Sequence, residues 1–495
     1  MHSLLFTIFV ITQLLYFFGM GVNYWFLSQR LNVIPSDPPL PLGEAPPIIL
    51  FYPVLRELEA TMHTTFTGMA AADYPPDKLR VISIPNHDDA ETIASLRRLQ
   101  SEFSFLEILP VPPTSDESWR TVWSSWDRNA KAYWWHNGKR SGETALPAKK
   151  TRQLIWAMYQ LAPTNPTALL SYIDADSVVP ADYFRTAAVG MASYDVVQNT
   201  NISGNLTKNW ASSFFAMDHI QWDSTIYKHM TANGKHPFYV LGKGLFFRFS
   251  DLLEVGGFHP WLTIEDPEIG MRLWTNGARL AVVESPLIEE VPATFSQGIT
   301  QRKRWVAGFF QSLGAPLSQM GMPLHKRLRA RMNFVPTLSL LVNPVGFVIG
   351  IWALLQALTT DNSFVSGPLL WLCIINIVAA VEGLLFEAWR AYRMSEPVLP
   401  ARSARVKYLL RVNPIFLFLY RLWWAIPLAI GLGMFLRDTG LTWERTEKFD
   451  ANADLVGHLD ANADADTVTL YDTDTAETQQ WTETQQWTEP QHRRA

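Results

Sequence analysis

The chain has 495 residues, of which 48% are hydrophobic and 18% are charged, and it contains 20 Trp and 28 Phe. This composition favours a protein with a membrane component over a wholly soluble one. The formal net charge of −5 provides no basic face, which excludes nucleic acid as a partner, and the lone Cys373 excludes an internal disulfide and a cysteine-based zinc site.

The first predicted element is an N-terminal membrane anchor in residues 1–29. Residues 4–27 are apolar and long enough to cross a bilayer, which takes about 20 residues. Because no Lys or Arg precedes this run and no small-residue cleavage site follows it, we expect an anchor that is not removed. Residues 30–46 contain five prolines and are interpreted as a linker.

Residues 47–330 are predicted to form an α/β domain in the cytoplasm, with an interfacial helix at its end. Strand-like apolar runs alternate here with helical patterns, which indicates a doubly wound parallel sheet with helices on both faces. The predicted strands are 47–52, 79–84, 105–111, 168–173 and 195–198, and the predicted helices are 58–71, 90–100, 149–161 and 180–191. In such a sheet, ligands bind beyond the carboxyl ends of the strands.

A tryptophan-rich stretch, residues 114–148, interrupts this alternation. It contains five tryptophans among polar residues. A lid, an acceptor-binding insert and a patch at the membrane interface all fit this composition, and the sequence does not choose among them.

The first acidic cluster, Asp174-Ala175-Asp176, closes the strand-like run that precedes it. Two carboxylates one residue apart at a sheet edge can hold a hard divalent cation through oxygen ligands, and such a cation can bridge a diphosphate. Aspartate after a strand is also ordinary turn chemistry, and Ser177 or Asp182 could simply start the next helix. The cluster alone leaves both interpretations open.

The second acidic cluster, Glu265-Asp266, precedes the helical pattern 269–275. Asp266 suits an N-cap, Pro267 suits the first helical position, and Glu268 suits the positive end of the helix dipole. Asp266 could instead be a general base that takes a proton from an acceptor hydroxyl. The two roles are compatible, because a cap position holds a carboxylate rigidly.

Gln301, Arg304 and Trp305 are three and four residues apart and share one face of a predicted helix. The positive charges of residues 302–304 can meet phosphate oxygens, and Trp305 offers a flat apolar plate on which a sugar ring can stack. An amphipathic helix with Trp and Arg at the level of the lipid headgroups explains the same residues.

Residues 331–440 are predicted to contain three transmembrane helices, at 334–358, 368–386 and 415–436. The segment 390–411 carries six Lys and Arg residues, which places it in the cytoplasm. Counting spans then places the α/β domain in the cytoplasm and the C-terminal tail outside. Glu382 and Arg421 fall at membrane depth. Arg421 could snorkel to the interface or start an interfacial helix, or both residues could line a path for a polar chain or a lipid headgroup.

Residues 441–495 are predicted to be a disordered acidic tail. From Asp450 onward there are ten acidic residues against two arginines, and Asp-Ala-Asn-Ala-Asp occurs at both 450–454 and 460–464. A segment so polar and repetitive cannot bury a core. A variable solvated tail and a regulatory or wall-contacting segment both fit it.

The order of these features resembles the membrane-embedded glycosyltransferases of family 2, which include cellulose, chitin and hyaluronan synthases and ceramide glucosyltransferase. The resemblance rests on both acidic clusters and on Gln-x-x-Arg-Trp at residues 301–305, beside apolar spans. Further matches occur at residues 53–57, 73–75, 87–89, 242–248 and 256–258. One departure is His87-Asp88-Asp89-Ala90, where the family has Asp-Asp followed by Gly or Ser.

The resemblance implies a GT-A fold, inversion at the anomeric carbon and a Mg²⁺ or Mn²⁺ cofactor. It implies that Asp266 is the catalytic base with Glu265 beside it, and that Asp176 and Asp174 hold the metal. By the same matches, contacts to the nucleotide-sugar or acceptor are expected from Glu57, Asp88, Asp89, Lys149, Lys150, Asp174, Gln301, Arg304 and Trp305.

We therefore expect an inverting, multi-pass enzyme of the plasma membrane that uses a UDP-linked sugar at the cytoplasmic face. Gln-x-x-Arg-Trp beside membrane spans favours extension of a polysaccharide or glycan, with export or assembly partners and membrane lipids as further partners. The nearest alternative is a non-processive synthase that adds one sugar to a lipid, because three spans after the domain are few for a secretion channel. A non-catalytic scaffold or transporter is a third alternative, against which the full set of carboxylates argues.

Overall fold

A computed structural model of the chain describes residues 2–138, 140–360, 365–439, 450 and 452–456. The predicted tail, 441–495, lies outside the described residues except for 450 and 452–456. Its disorder therefore stays a prediction.

The α/β domain is built on eight strands: β1 (Val33–Ile34), β2 (Ile48–Pro53), β3 (Leu79–Ile84), β4 (Leu106–Ile108), β5 (Leu169–Tyr172), β6 (Val196–Ser203), β7 (Leu245–Arg248) and β8 (Leu280–Glu289). They form one sheet in the order β1-β8-β6-β7-β5-β2-β3-β4. All six residues of β2 are buried, as expected for a central strand with helices on both faces. The predicted α/β architecture is confirmed.

The helices are α1 (His2–Leu27), α2 (Glu59–Ala70), α3 (Ala90–Gln100), α4 (Arg120–Arg128), α5 (Tyr133–His136), α6 (Lys150–Leu161), α7 (Tyr183–Ser193), α8 (Trp210–Asp218), α9 (Lys228–Thr231), α10 (Phe249–Glu254), α11 (Asp266–Thr275), α12 (Phe295–Leu313), α13 (Leu324–Met332), α14 (Val335–Thr359), α15 (Pro368–Met394), α16 (Arg402–Arg411), α17 (Pro414–Trp423) and α18 (Ala425–Leu436). Between α8 and α9 the chain forms a π-helix, His219–Tyr227. Every strand and helix predicted between residues 47 and 198 is present, with ends shifted by a few residues.

Strand β7 departs from the predicted all-parallel sheet. It runs antiparallel to both of its neighbours, β5 and β6, whereas the other strand pairs are parallel. After β6 the chain stays at the carboxyl edge of the sheet through α8, the π-helix and α9, and it enters β7 from that edge. Leu245 therefore lies opposite Tyr172, the last residue of β5. This path places residues 242–244 next to Asp174.

The predicted linker takes part in the sheet. Val33 and Ile34 form β1, which pairs in parallel with Val282 and Val283 of β8. The side chain of Asn32 adds a hydrogen bond from Nδ2 to the carbonyl oxygen of Leu280, at 3.1 Å. The end of the linker that follows α1 is thus tied to the α/β domain.

The tryptophan-rich stretch belongs to the interior of the domain. Trp119 and Trp126 are fully buried, and Trp134 is 1% exposed. Trp123 stacks on Trp119 and on Trp135, with ring centroids 5.4 Å apart in each pair. Because these rings form core, the structure favours none of the three roles considered from the sequence.

Three stretches among the described residues are long and apolar enough to cross a membrane: Phe6–Leu27, Pro368–Met394 and Pro414–Leu436. The 25-residue helix α14 coincides with the remaining predicted span, 334–358. α1 lies alongside α14 and α15, so these three helices form one bundle next to the domain.

The last of these stretches, formed by α17 and α18, lies against the α/β domain at both ends. Near its start, the ring of Phe416 is 5.4 Å from that of Trp210. Just past its end, Asp438 Oδ2 is 3.5 Å from Arg140 Nη2. The stretch thus has the length and hydropathy of a crossing helix and also packs on the domain, so the predicted crossing at 415–436 stays a prediction.

The last described residues also return to the α/β domain. Thr64 Oγ1 donates to Asp450 Oδ1 at 2.7 Å, and Asn452 Nδ2 donates to the carbonyl oxygen of Asp176 at 3.3 Å. Asn452 is 3% exposed. These contacts place the beginning of the tail on the same side as the domain, which conflicts with the predicted external tail.

Candidate active site

A cavity of about 290 Å³ opens at the carboxyl edge of the sheet. The segments that follow β2 and β5, the beginnings of α6 and α11, and one face each of α12 and the π-helix surround it. Ten of the twelve predicted site residues line this cavity: Glu57, Lys149, Lys150, Asp174, Asp176, Glu265, Asp266, Gln301, Arg304 and Trp305. The fold thus brings together residues that are far apart in the sequence, from Glu57 to Trp305. We call this space the catalytic cavity.

The two exceptions are Asp88 and Asp89, which do not line the catalytic cavity. Asp89 is the N-cap of α3, and its carboxylate accepts hydrogen bonds from the backbone N–H of Thr92 at 3.4 Å and of Arg56 at 2.8 Å. Asp89 therefore ties the segment after β2 to the start of α3. Contact of either aspartate with a nucleotide stays a prediction.

Lys150 is the cation at the centre of the catalytic cavity. Its Nζ lies 2.7 Å from Asp174 Oδ1 and donates to the carbonyl oxygen of Gly242 at 2.5 Å. Burial disfavours the ammonium, but the charges of Asp174, Glu265 and Asp266 outweigh burial and raise the pKa of Lys150. Lys150 is therefore charged at neutral pH and joins the start of α6 to the loops after β5 and before β7.

The carboxylate of Asp176 is held at the sheet edge by a hydrogen bond from the backbone. Its Oδ2 accepts from the N–H of Glu290 at 2.9 Å, and the residue is 5% exposed. Asp174 and Asp176 present carboxylate oxygens to one cavity, which is the donor chemistry that a hard divalent cation needs. Within the described part of the chain, no group of three or more His, Cys, Asp or Glu side chains is arranged to hold a metal ion.

Asp266 is the first residue of α11, and Glu265 occupies the N-cap position without a side-chain capping bond. The interpretation of Asp266 as the cap is therefore wrong by one residue. Its carboxylate instead faces Gly242 inside the catalytic cavity. Burial, and then the neighbouring Glu265, raise the pKa of Asp266 well above its ordinary value, while Lys150 opposes this rise. A carboxyl group in this environment can accept a proton near neutral pH.

Lys149 is a second, less basic ammonium in the cavity. Its Nζ donates to the carbonyl oxygen of Leu262 at 2.9 Å. Burial lowers the pKa of Lys149 to about 8, against the attraction of Glu265. A negatively charged ligand in the catalytic cavity would favour the protonated form.

The arginines of the Gln-x-x-Arg-Trp segment have different environments. Arg302 is fully buried, and its guanidinium pairs with Asp218, with Nη2 2.6 Å and Nε 2.7 Å from Oδ2. Tyr420 of α17 donates to the same oxygen at 2.5 Å. Arg302 is therefore committed to holding α12 against α8 and α17, and it is not the phosphate contact considered from the sequence. Arg304, by contrast, lines the catalytic cavity.

The π-helix contributes residues that the sequence analysis missed. His219, Trp222 and Asp223 line the catalytic cavity. His219 Nδ1 is 2.9 Å from Asp223 Oδ2, and burial lowers the pKa of His219. The ring of Trp305 lies edge-on to His219, with centroids 6.5 Å apart. No local pattern in residues 219–227 signals this role, because π-helical geometry arises only from the surrounding packing.

Comparison with known proteins identifies one family. The model of glycosyl transferase family group 2 matches residues 169–436, just over half of the chain. No curated protein matches significantly.

Two solved structures illustrate the structural similarity. The mannosyltransferase PcManGT from Pyrobaculum calidifontis, in complex with GDP-Man and Mn²⁺, is 15% identical, with 82% of this chain and 97% of that chain covered and a TM-score of 0.46. TarS 1-349 from S. aureus, in complex with UDP-GlcNAc, is 10% identical, with 75% and 91% covered and a TM-score of 0.32. These similarities are too distant to carry an argument about this chain's ligands.

Proposed function

The chain belongs to glycosyl transferase family group 2, and from that premise we propose that it is an inverting enzyme that moves a sugar from a nucleotide-sugar to an acceptor hydroxyl at a membrane surface. The observation that carries this proposal is the position of Asp266 in one cavity with Lys150, Asp174 and Arg304. A carboxylate that could accept a proton, in one cavity with groups that could bind a diphosphate, supports the proposal. A glycosyltransferase needs both.

Asp266 is the proposed base. It takes the proton from the acceptor hydroxyl as that oxygen bonds to the anomeric carbon, while the bond from the sugar to the diphosphate breaks and the diphosphate leaves with the electron pair. Its raised pKa makes the carboxylate a stronger base than an exposed aspartate. The charge of Lys150 opposes the rise in the pKa of Asp266, and its ammonium fixes Asp174.

The donor diphosphate is proposed to lie between Lys149, Arg304 and the two aspartates at the end of β5. Arg304 can form hydrogen bonds to the leaving phosphate, and Trp305 offers a ring face to a sugar. Asp174 and Asp176 fit a Mg²⁺ or Mn²⁺ ion through carboxylate oxygens, with the diphosphate completing the ligand set. Such an ion, when bound, neutralises charge on the leaving diphosphate. A UDP-linked sugar is the proposed donor.

A glycan is the proposed acceptor, in line with Gln-x-x-Arg-Trp on a helix beside the membrane bundle. A lipid acceptor is the second candidate, and a specific observation favours it. The far end of the catalytic cavity is apolar and aromatic, with Trp222, Tyr239 and Phe309, and it reaches Thr337 near the start of α14. An acceptor presented by the membrane would approach from this end.

The proposed location is the cytoplasmic face of the plasma membrane, with α1, α14 and α15 as crossing helices. α15 then ends, at Met394, on the same side as the basic segment 402–411, which agrees with the positive-inside rule. Because α17 and α18 lie on the domain, they offer few walls for an export path.

A product analysis tests the proposed function. The purified chain is incubated with a panel of nucleotide-sugars, with glycan or lipid acceptors, and with Mg²⁺ or Mn²⁺, and the products are identified by mass spectrometry. We expect transfer from one donor class and none with Asp266→Asn. Absence of both sugar transfer and donor hydrolysis across the panel would favour a scaffold or transporter.

A further inference from the structure

A second cavity, of about 670 Å³, lies between α1, α15, α17 and the π-helix. We call it the membrane-side cavity. The π-helix separates it from the catalytic cavity: Trp222 and Asp223 line the catalytic cavity, whereas Gln221 and Thr225 line the membrane-side cavity. The two cavities thus share one wall, and π-helical turns are frequent at functional sites.

The membrane-side cavity is located where the helical bundle joins the α/β domain. Asn23 and Leu27, which line it, belong to the last turns of α1, and Phe26 in the same turns packs against domain residues. Arg390, which also lines it, is about one turn before the end of α15 at Met394. With α1 and α15 crossing the membrane as proposed above, lipid headgroups would lie at this level, between the apolar bundle and the domain.

The charges in this cavity favour an anion at the end near the domain. Arg390 Nη2 donates to the carbonyl oxygen of Ser224 at 3.1 Å, and Arg390 Nε has no hydrogen-bond partner among the described residues. Lys228 is close enough for its charge to interact with that of Arg390. The nearby Glu387 is neutralised by Arg421 at 2.7 Å. Glu382, the other carboxylate that lines the cavity, is about two turns from Arg390 on α15 and accepts from Tyr24 Oη at 3.3 Å. A phosphate group beside Arg390 would therefore find an unpaired donor.

Two buried acceptors in the same cavity lack donors. Asn23 Oδ1 and Gln221 Oε1 have no hydrogen-bond partner among the described residues, although Asn23 is 8% and Gln221 6% exposed. A buried polar atom without a partner costs free energy, so such atoms are rare in native proteins. A ligand that carries hydroxyl groups would supply the missing donors.

We propose that the membrane-side cavity binds the headgroup of a membrane phospholipid that carries both a phosphate and free hydroxyl groups. The phosphate accepts from Arg390, and the hydroxyls donate to Asn23 and Gln221. The acyl chains extend along the flanks of α1 and α15, where Phe17 and Leu385 are each more than half exposed. This site is separate from the proposed catalytic residues.

Binding at this site acts on the wall of the catalytic cavity. The π-helix is held from the membrane side by Gln221, whose Nε2 donates to Glu387 Oε1 at 2.5 Å, and by the bond between Arg390 and Ser224. A headgroup that engages Arg390 and Gln221 restrains the same two anchors. Occupancy of the site therefore stabilises the face that carries His219 and Asp223.

The test compares phosphatidylglycerol, which has a phosphate and hydroxyls, with phosphatidylcholine, whose choline group has no donor. Full-length chain in detergent is titrated with each lipid, and retained lipid is measured by native mass spectrometry. Gly383→Leu blocks the site without removing a charge, because a Cβ at Gly383, which lines the cavity, meets nothing within 4 Å. Arg390→Gln removes the phosphate donor, and Arg393→Gln is the matched control, because Arg393 is exposed on the same helix and does not line the cavity.

We expect phosphatidylglycerol to bind more tightly than phosphatidylcholine to the wild type and to Arg393→Gln, and its affinity to fall about tenfold or more in Arg390→Gln and Gly383→Leu. Glycerol phosphate without acyl chains should not compete at equal concentration. If Gly383→Leu folds, as judged by its melting temperature, and retains the lipid with wild-type affinity, the site is not in this cavity. An equal loss of phosphatidylglycerol affinity in Arg393→Gln would show that lipids are attracted to the chain in general and not bound at this site. Equal binding of both lipids to the wild type would show the same. Competition by glycerol phosphate would indicate a site for free phosphate instead.

Discussion

Gly242 lies so close to the carboxylate of Asp266 that a Cβ at position 242 would be 2.5 Å from Asp266 Oδ1. No real Cβ tolerates this distance, so the absence of a side chain at residue 242 sets the position of the proposed base. The carbonyl oxygen of Gly242 also accepts from Lys150 at 2.5 Å. The segment before β7 is therefore part of the catalytic geometry.

Gly242→Ala should displace Asp266 and slow sugar transfer by about 100-fold, the scale of a lost general base. Gly43→Ala is the matched control, because a Cβ at Gly43 meets nothing within 4 Å. Turnover and melting temperature are measured on both variants. Wild-type turnover in a folded Gly242→Ala enzyme would show that the position of Asp266 is unimportant for the reaction.

Asp266→Asn should leave the fold intact and lower turnover by about 100-fold or more, because the amide cannot accept the proton. Because Asp266 is the first residue of α11 and not its N-cap, Asp266→Ala should be as stable as Asp266→Asn. Donor affinity, melting temperature and transfer are measured on both. Near-wild-type transfer by the Asn variant would remove Asp266 from the mechanism.

The raised pKa of Asp266 predicts opposite pH dependences for activity and stability. Transfer should fall on the acid side with a midpoint well above the ordinary aspartate value of 3.8, because the base must be deprotonated. The folded chain keeps this proton at pH values where the unfolded chain has lost it, so Asp266 contributes stability that is present at low pH and lost as the pH rises through its folded pKa. Melting temperatures of the wild type and Asp266→Asn across this pH range test the predicted direction. Only the wild type should lose this contribution to stability as the pH rises.

Asp176→Asn should abolish metal-dependent donor binding while changing stability little. The amide oxygen can still accept from the N–H of Glu290, so the local fold is kept, but the charge that would hold the cation is lost. Calorimetry of nucleotide-sugar binding with Mn²⁺ and with a chelator measures the effect. If the wild type binds the donor equally well in both conditions, the metal has no role in binding.

Arg302→Gln should lower the stability of the fold, whereas Arg304→Gln should weaken donor binding, although both residues belong to α12. Arg302→Gln leaves Asp218 buried without its cation and should destabilise the fold by about 3–5 kcal/mol. Arg304→Gln should fold normally and bind the donor about tenfold more weakly. Denaturant titration and donor affinity test the pair, and the reverse pattern would contradict the assignment of the two arginines.

Cysteine labelling tests which side of the membrane the C-terminal helices occupy. In a Cys373→Ser background, Thr360→Cys should react with an impermeant maleimide from the side opposite the α/β domain. Asp438→Cys should react only from the domain side, because Asp438 lies 3.5 Å from Arg140. Labelling of both cysteines from the same side would confirm that residues 415–436 cross the membrane, as predicted from the sequence.

The sequence by itself determined the α/β architecture and most of the catalytic cavity. Alternating apolar runs report burial directly, because a central strand such as β2 must be apolar on both faces. The end of β5 and the start of α11 follow from the same local pattern, so Asp174, Asp176 and Asp266 could be placed at the sheet edge. Gln301, Arg304 and Trp305 follow from helical spacing.

Only the tertiary structure decided what each group contacts. Arg302 and Arg304 are two residues apart in one basic run, yet one is buried against Asp218 and the other lines the cavity. The hydropathy of residues 415–436 is that of a crossing helix, and it does not reveal that α17 and α18 pack on the domain. The ion-pair partner of an arginine, its burial, and the side of the membrane on which a helix lies depend on segments that are distant in the sequence. No local pattern encodes them.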